Sequence, residues 1–330
     1  MSYLPAPSSD IPPAPAAADC WYLTGPTAAG KTAVGLELAQ RINAEIVVLD
    51  SMTVYAGMDI GTAKPTAEQR ARAPHHLLDV ALPNEDYSLA QYIDAAHDVA
   101  AEIRSRGREV LFVGGTALYL KSLLRGVYQG PPADWEFRRA IEEEVERVGS
   151  EALHQRLALV DPLAAAKLHP NDKRRIIRAL EVYRQTGQPL SHRQTQFDEG
   201  RPAEQCKVFV LQWPRDELHR RIEQRVDQMF ADGLVDEVRG LLAKYGTLSR
   251  TASQAVGYRE VLEHLQAGVP LSETIEKVKA RTRQFARRQE TWFRGLSECT
   301  FVPLTENDSP QKVADQVAEL GLSRPAVQKT

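Results

Sequence analysis

The sequence holds no apolar run near the roughly 18 residues that a membrane-spanning helix needs, so no membrane partner is expected. Cysteine is scarce: Cys20, Cys206 and Cys299 are far apart and odd in number. With no CxxC pair, neither a disulfide framework nor a zinc centre is indicated, and a reducing cytoplasm is the expected setting. The first 19 positions, "MSYLPAPSSDIPPAPAAAD", lack any basic residue and carry five prolines. They make a poor signal peptide and read as a disordered tail over 1–19. No internal repeat is found, and a formal charge of −3 excludes nothing by itself.

What is present is an ordinary globular composition, 43% hydrophobic and 26% charged over 330 residues. That length suits two domains, or one domain carrying an insertion. "CWYLTGP", "AEIVVLD", "EVLFVGGT" and "CKVFVLQW" are short, almost continuously apolar runs, the pattern of strands buried on both faces. Helical spacing separates them: Val34, Leu38 and Ile42 in one stretch, then Leu89, Ile93, Ala96, Ala100 and Ile103 over 88–106. Such alternation predicts an α/β fold with a parallel sheet flanked by helices.

The rhythm breaks at "QGPPADW", and the chain stays helical and polar until the strand at 206–213. An all-helical insertion over 129–204 is therefore expected inside a core made of 20–128 and 205–305. Helices resume after it; Leu218, Ile222, Val226, Met229 and Phe230 form one stripe, stopped at Gly233. A further helix is expected to open on an imperfect capping box at Ser272. Residues 306–330 read as a weakly specified tail.

"GPTAAGKT" follows the first strand and opens the first helix, the context that distinguishes a P-loop from a chance match. Gly25, Pro26, Thr27, Ala28, Ala29 and Gly30 would wrap a phosphate with backbone N–H groups, Lys31 would neutralise it, and Thr32 would offer its hydroxyl to Mg²⁺. This is a P-loop NTPase-like core. The motif leaves the reaction open, because hydrolases, kinases and other transferases share it. Asp50, closing "IVVLD", would suit an ATPase or a small-molecule kinase as an indirect Mg²⁺ ligand. Basic clusters at "DKRRIIR" and "KVKARTRQFARRQETWFR" suit a polyanion or a solvated helix face. Ile176, Ile177 and Leu180 form the apolar stripe of the first cluster.

Eight blocks in order decide between these readings. "GPTAAGKT", "DSMTVYAGMDIGTAKP", "PHHLLDV", "VGGTALYLKSLLRG", "HPNDKRRIIRALEVY", "RIEQRVDQMFADGLVDEVRGLL", "SQAVGYRE" and "TRQFARRQETWFR" resemble the tRNA dimethylallyltransferases. The resemblance runs from about residue 20 to 294. It implies transfer of a dimethylallyl group from dimethylallyl diphosphate to N6 of the adenosine at tRNA position 37, beside the anticodon. It assigns Asp50 as the base that takes the N6 proton, Thr116 as an orienting residue, and Arg225 as a diphosphate contact opposite Lys31. Bland alternatives are helix capping for Thr116 and helix-surface ion pairing for Arg225. The tRNA anticodon stem-loop is implied at Asp50, Ser51, Met52 and Thr53, at Arg174, Arg175, Ile176, Ile177 and Arg178, and at Gln254, Ala255, Val256, Gly257, Tyr258 and Arg259. Many members carry Gln at the position of Thr53 and Arg or Lys at that of Ala56. His75 and His76 read as structural. Other readings are an adenylate isopentenyltransferase acting on a free nucleotide, or a P-loop ATPase or kinase-like RNA-binding protein. Nothing demands more than a monomer.

Overall fold

The structure, a computed structural model, describes residues 17–126, 128, 130–193 and 200–324. It divides into two compact units, one of Met1–Leu124 with Gly200–Thr330 and one of Arg125–Glu199. The division falls a few residues before each end of the expected insertion.

In the first unit, apolar runs become strands β1 (Trp21–Thr24), β2 (Ala44–Val48), β3 (His75–His76), β4 (Glu109–Val113), β5 (Val208–Gln212) and β6 (Cys299–Pro303). They form one sheet in the order β3-β2-β4-β1-β5-β6 with every neighbouring pair parallel. All four residues of β1 are buried, as are all five of β2, which is why these strands show no polar alternation. The strands β3 and β6 escape the sequence pattern. The first is two residues long, and the second lies at the sheet edge, partly polar and ended by Pro303.

Helices α1 (Lys31–Arg41), α2 (Ala67–Arg72), α3 (Leu89–Ser105) and α4 (Ala117–Arg125) follow the first strands. The start of α3 is set by a capping box in which Ser88 and Gln91 satisfy each other's backbone N–H groups. The second unit holds α5 (Trp135–Val160), kinked at Gly149, with α6 (Pro162–Lys167) and α7 (Lys173–Thr186) around Phe137, Ile141, Leu157, Ile176 and Ile177. The first unit then continues with α8 (Arg215–Ala231), α9 (Leu234–Tyr245), α10 (Tyr258–Ala267), α11 (Leu271–Arg294) and α12 (Pro310–Leu322).

Three boundaries differ from expectation. The helix α11 starts on Pro270 without a side-chain cap, so Ser272 lies within its first turn. The segment read as a tail from 306 contains α12, which Ser309 caps and which buries Val313, Ala314 and Val317 against α1. Val313, Ala314, Val317 and Ala318 stand at helical spacing, so the sequence does carry the signal of this helix. At the other end Ala17 and Ala18 are buried and Tyr22 Oη donates to the Ala17 carbonyl at 2.8 Å, so the ordered chain begins earlier than residue 20. The rest of the expected tail, 1–16, lies outside the described residues, as do 325–330.

Candidate active site

In an open parallel sheet ligands bind beyond the carboxyl ends of the strands, and there the P-loop leaves β1. Gly25 has φ +144°, and a Cβ there would lie 2.7 Å from the Leu211 carbonyl oxygen of β5. The chain can turn off the strand only where no side chain is present. Two of the loop carbonyls accept from residues outside the loop. Trp213 Nε1 donates to Ala29 O at 3.0 Å, and Arg221 Nε donates to Ala28 O at 3.0 Å. The Arg221 guanidinium lies 4.4 Å over the Trp213 ring, which fixes both donors. Lys31 Nζ donates to Gly25 O at 3.0 Å and Pro26 O at 2.7 Å. Burial and the Arg225 charge bring its ammonium down to about 7, against an opposing pull from Asp50.

Asp50 stands just past β2. Its Oδ1 accepts the Met52 N–H at 2.8 Å and the Thr53 N–H at 3.4 Å, an Asx-type turn. Among the described residues no donor meets its Oδ2. Thr116, at the end of β4, donates its N–H to Leu49 O at 3.2 Å, and its Oγ1 accepts the Ser51 N–H at 3.1 Å. The hydroxyl is thus used across the site, while the Thr116 carbonyl starts α4 by accepting the Leu120 N–H. On the helix-surface reading Arg225 would pair with a neighbouring Glu. Instead, no carboxylate among the described residues lies within ion-pair distance of it, and burial lowers its affinity for the proton.

These groups line one cavity of about 530 Å³, which brings together Thr27, Lys31, Thr32, Asp50, Thr116 and Arg225. Ala28, Gly30, Ser51, Met52, Thr53, Gln254, Ala255 and Val256 also face it, whereas Gly25, Pro26, Ala29, Gly257, Tyr258 and Arg259 do not. Apolar walls come from Ile46 and Val48 on one side and from Val226, Met229, Val278 and Phe285 on α8 and α11. The loop at 59–63 is held by two groups the sequence does not single out. Glu237 accepts the Asp59 and Ile60 N–H groups at 2.9 and 2.7 Å and the Tyr258 hydroxyl at 2.5 Å. Lys64, its side chain 2% exposed, donates to Tyr55 O and to Asp59 and Asp79.

The residues expected at the RNA fall into different environments. Thr53, although it lines the cavity, is largely buried, and its hydroxyl has no hydrogen-bond partner among the described residues. Ile176 and Ile177 lie in the core of the second unit, because the apolar stripe of α7 must be covered, and only Ile177 keeps a small edge at the cavity beside Lys173 and Arg174. Arg178 pairs with the fully buried Glu181 and donates to Pro131 O at 2.9 Å. Burial alone would raise the Glu181 pKa; hydrogen bonds from Arg138 and Arg178 outweigh it and hold the carboxyl low. Lys173 and Arg174 are exposed, and Arg175 pairs with Asp172. On α11, Lys277, Lys279 and Arg283 are tied to Glu263, Asp227 and Glu223, so part of that charge is structural. Both histidines have partners: His75 Nδ1 lies 2.8 Å from Ala73 O, and His76 Nε2 2.7 Å from Glu45.

The family model for IPP transferase matches residues 53–296. A tRNA dimethylallyltransferase of Rhodopirellula baltica is 50% identical over 316 residues, covering 93% of this chain and 94% of that one. Another from Geobacter metallireducens is 48% identical, covering 84% and 90%. Among solved structures, the tRNA isopentenylpyrophosphate transferase of Bacillus halodurans is 38% identical with a TM-score of 0.66, covering 92% and 97%. A eukaryotic dimethylallyltransferase described as acting on tRNA is 26% identical with a TM-score of 0.75, covering 94% and 81%.

Proposed function

The chain belongs to the IPP transferase family and transfers a dimethylallyl group to tRNA; on that premise we propose how its own residues perform the reaction. The donor is dimethylallyl diphosphate, and the acceptor is N6 of the adenosine at position 37, beside the anticodon. One observation carries this reading: a phosphate loop, together with an arginine and a carboxylate oxygen that meet no partner among the described residues, converges on one cavity that also holds an apolar wall of Val226, Met229, Val278 and Phe285.

The adenine amine is a weak nucleophile because its lone pair is delocalised into the ring. As N6 attacks C1 of the donor, the N6–C1 bond forms and the C1–O bond breaks. The electron pair leaves with the diphosphate, and the N6 proton passes to Asp50 Oδ2. Lys31 and Arg225, both partly desolvated, receive the departing charge, and desolvated contacts of this kind act more strongly than they would in water. The prenyl tail lies against Val226, Met229 and Phe285. The base reaches Asp50 only if it is turned out of the anticodon loop, as for enzymes that act on base edges.

Thr32 fits Mg²⁺: the residue lines the cavity that also holds Asp50, and a hydroxyl is an oxygen donor suited to a hard cation. When bound, the ion would supply further positive charge to the diphosphate. The protein works as a monomer in the cytoplasm, a setting that suits three free, buried cysteines.

The test is to incubate the protein with dimethylallyl diphosphate and unmodified tRNA, then measure the mass of the released nucleosides. One prenyl group on the adenosine beside the anticodon is expected, and no prenylated adenosine would overturn the reading. Faster transfer to AMP than to tRNA would assign the free nucleotide as acceptor instead.

A further inference from the structure

Among the charged residues of α11 lies a neutral side chain that reaches the site, Gln289, 5% exposed. Its Oε1 accepts the Thr27 N–H at 2.9 Å, and its Nε2 donates to the Gly115 carbonyl at 2.8 Å. One partner can only donate and the other can only accept, so a carboxamide is the side chain that satisfies both. Glutamate would set a carboxylate against a carbonyl oxygen, and Lys or Arg would face an N–H with another N–H. A Cβ on Gly115 would come 2.5 Å from Gln289 Nε2 and 3.5 Å from Lys31 Nζ. The backbone at Gly115 therefore reaches Gln289 because no side chain stands between them.

The two partners belong to the two halves of the proposed reaction. Thr27 lies in the loop that would hold the leaving diphosphate. Gly115 precedes Thr116, whose hydroxyl accepts the Ser51 N–H next to Asp50. Within the sheet, β1 and β4 keep register through parallel pairing as far as Leu23 and Val113. Beyond those residues the ladder ends, and the Thr24 hydroxyl bonded to Gly114 O and the Gln289 amide take over.

We propose that Gln289 is a positioning residue for prenyl transfer, one amide that fixes the separation between the phosphate loop and the Gly115–Thr116 turn. The inference rests on the functional reading above, since it needs a leaving group on one side and a base on the other. Displacement at carbon requires nucleophile, carbon and leaving oxygen in line, and a shift of about 1 Å can cost on the order of 100-fold in rate. Gln289 is expected to act through its two backbone partners, not on the reacting atoms.

The variants Gln289→Met, which keeps the shape and removes both hydrogen bonds, and Gly115→Ala, which keeps the amide and pushes it away, test this. The expected result for each is a tenfold or greater fall in kcat per folded enzyme, with both substrates saturating and the Kd for tRNA within twofold of wild type. The double variant should lose little more than either single one, because both act on the same bond. A role in folding alone would lower Tm and the folded fraction but leave the kcat of folded enzyme in place. A fall of less than tenfold in Gln289→Met, or fully multiplying losses in the double variant, would overturn the proposal. If Gln289→Met does not fold, the same tenfold threshold applies to Gly115→Ala. Wild-type protein that transfers no prenyl group would sink the functional reading and this one with it. Wild-type transfer with an unimpaired Gln289→Met variant would sink this one alone.

Discussion

Thr116 Oγ1 accepts the Ser51 N–H at 3.1 Å, tying the turn after β4 to the residue next to Asp50. The bond couples the position of the base to a strand two places away in chain order, although β2 and β4 are neighbours in the sheet. Thr116→Val keeps the shape and deletes the acceptor. Leaving a partly buried N–H unpaired costs about 1–3 kcal/mol. The expected outcome is a kcat lowered roughly 10- to 100-fold, if most of that cost falls on the reactive geometry. Thr116→Ser retains the oxygen and should recover most of the rate, as steady-state assays of the two variants would show.

Asp50→Asn separates positioning from proton transfer. The amide oxygen can still accept the Met52 and Thr53 N–H groups, so the turn should persist. What is lost is the basic Oδ2, and general-base catalysis contributes about 10²–10⁴-fold. Single-turnover transfer should therefore fall by that factor with tRNA affinity held within a few fold. Near-full activity would remove Asp50 from the role of base.

How far the site could be read in advance depended on whether its groups were local in sequence. The P-loop is eight consecutive residues between a strand and a helix, so its pattern carries its own context. Asp50, Thr116 and Arg225 came through resemblance to a family, since no spacing in the chain links them. Gln289 and Glu237 were not singled out because their partners lie at Thr27 and Gly115, and at Asp59 and Tyr258, far away in sequence. Charge clusters mislead in the other direction. "DKRRIIR" mixes exposed Arg174 with buried Ile176 and with Arg178, which serves Glu181, and composition cannot sort them. The helix α12 is the opposite case: Val313, Ala314, Val317 and Ala318 recur at helical spacing, so its existence was legible in the sequence.

Glu181 carries a stability prediction for the second unit. Its carboxylate is fully buried and accepts from Asp134 N, Arg138 and Arg178. Removing one partner from a buried pair strands the others, so Glu181→Ala should destabilise by about 3 kcal/mol. The folded-state pKa lies below the unfolded one, so this contribution is present above the ordinary carboxylate range and is lost as pH falls through the folded value. Urea unfolding of the two proteins should show the gap at pH 7 and its closure in acid. A gap that persists unchanged in acid would mean that the ion pairs are not its source.

Glu237 does comparable work for the cavity wall. Its carboxylate accepts three consecutive loop N–H groups, those of Asp59, Ile60 and Gly61, and the Tyr258 hydroxyl. Glu237→Ala should cost about 2 kcal/mol and free the loop at 59–61. Hydrogen exchange should rise at the Asp59 and Ile60 amides before it rises in β1. Unchanged protection at those amides would show that the loop is held by Lys64 alone.

Lys31 links anion binding to protons. In the free site burial and Arg225 bring its ammonium down to about 7, so above that pH it is largely neutral. A bound diphosphate favours the charged form and raises the pKa again, so binding takes up a proton on the alkaline side of 7 and none well below it. Affinity for inorganic diphosphate should therefore weaken as pH rises above 7, by at most about tenfold per unit for one proton. Diphosphate has ionisations of its own, which Lys31→Arg isolates because a guanidinium keeps its charge throughout. Calorimetry of diphosphate binding between pH 6 and 9 should give more proton uptake for wild type than for Lys31→Arg. Equal uptake in the two proteins would mean that Lys31 enters the reaction already charged.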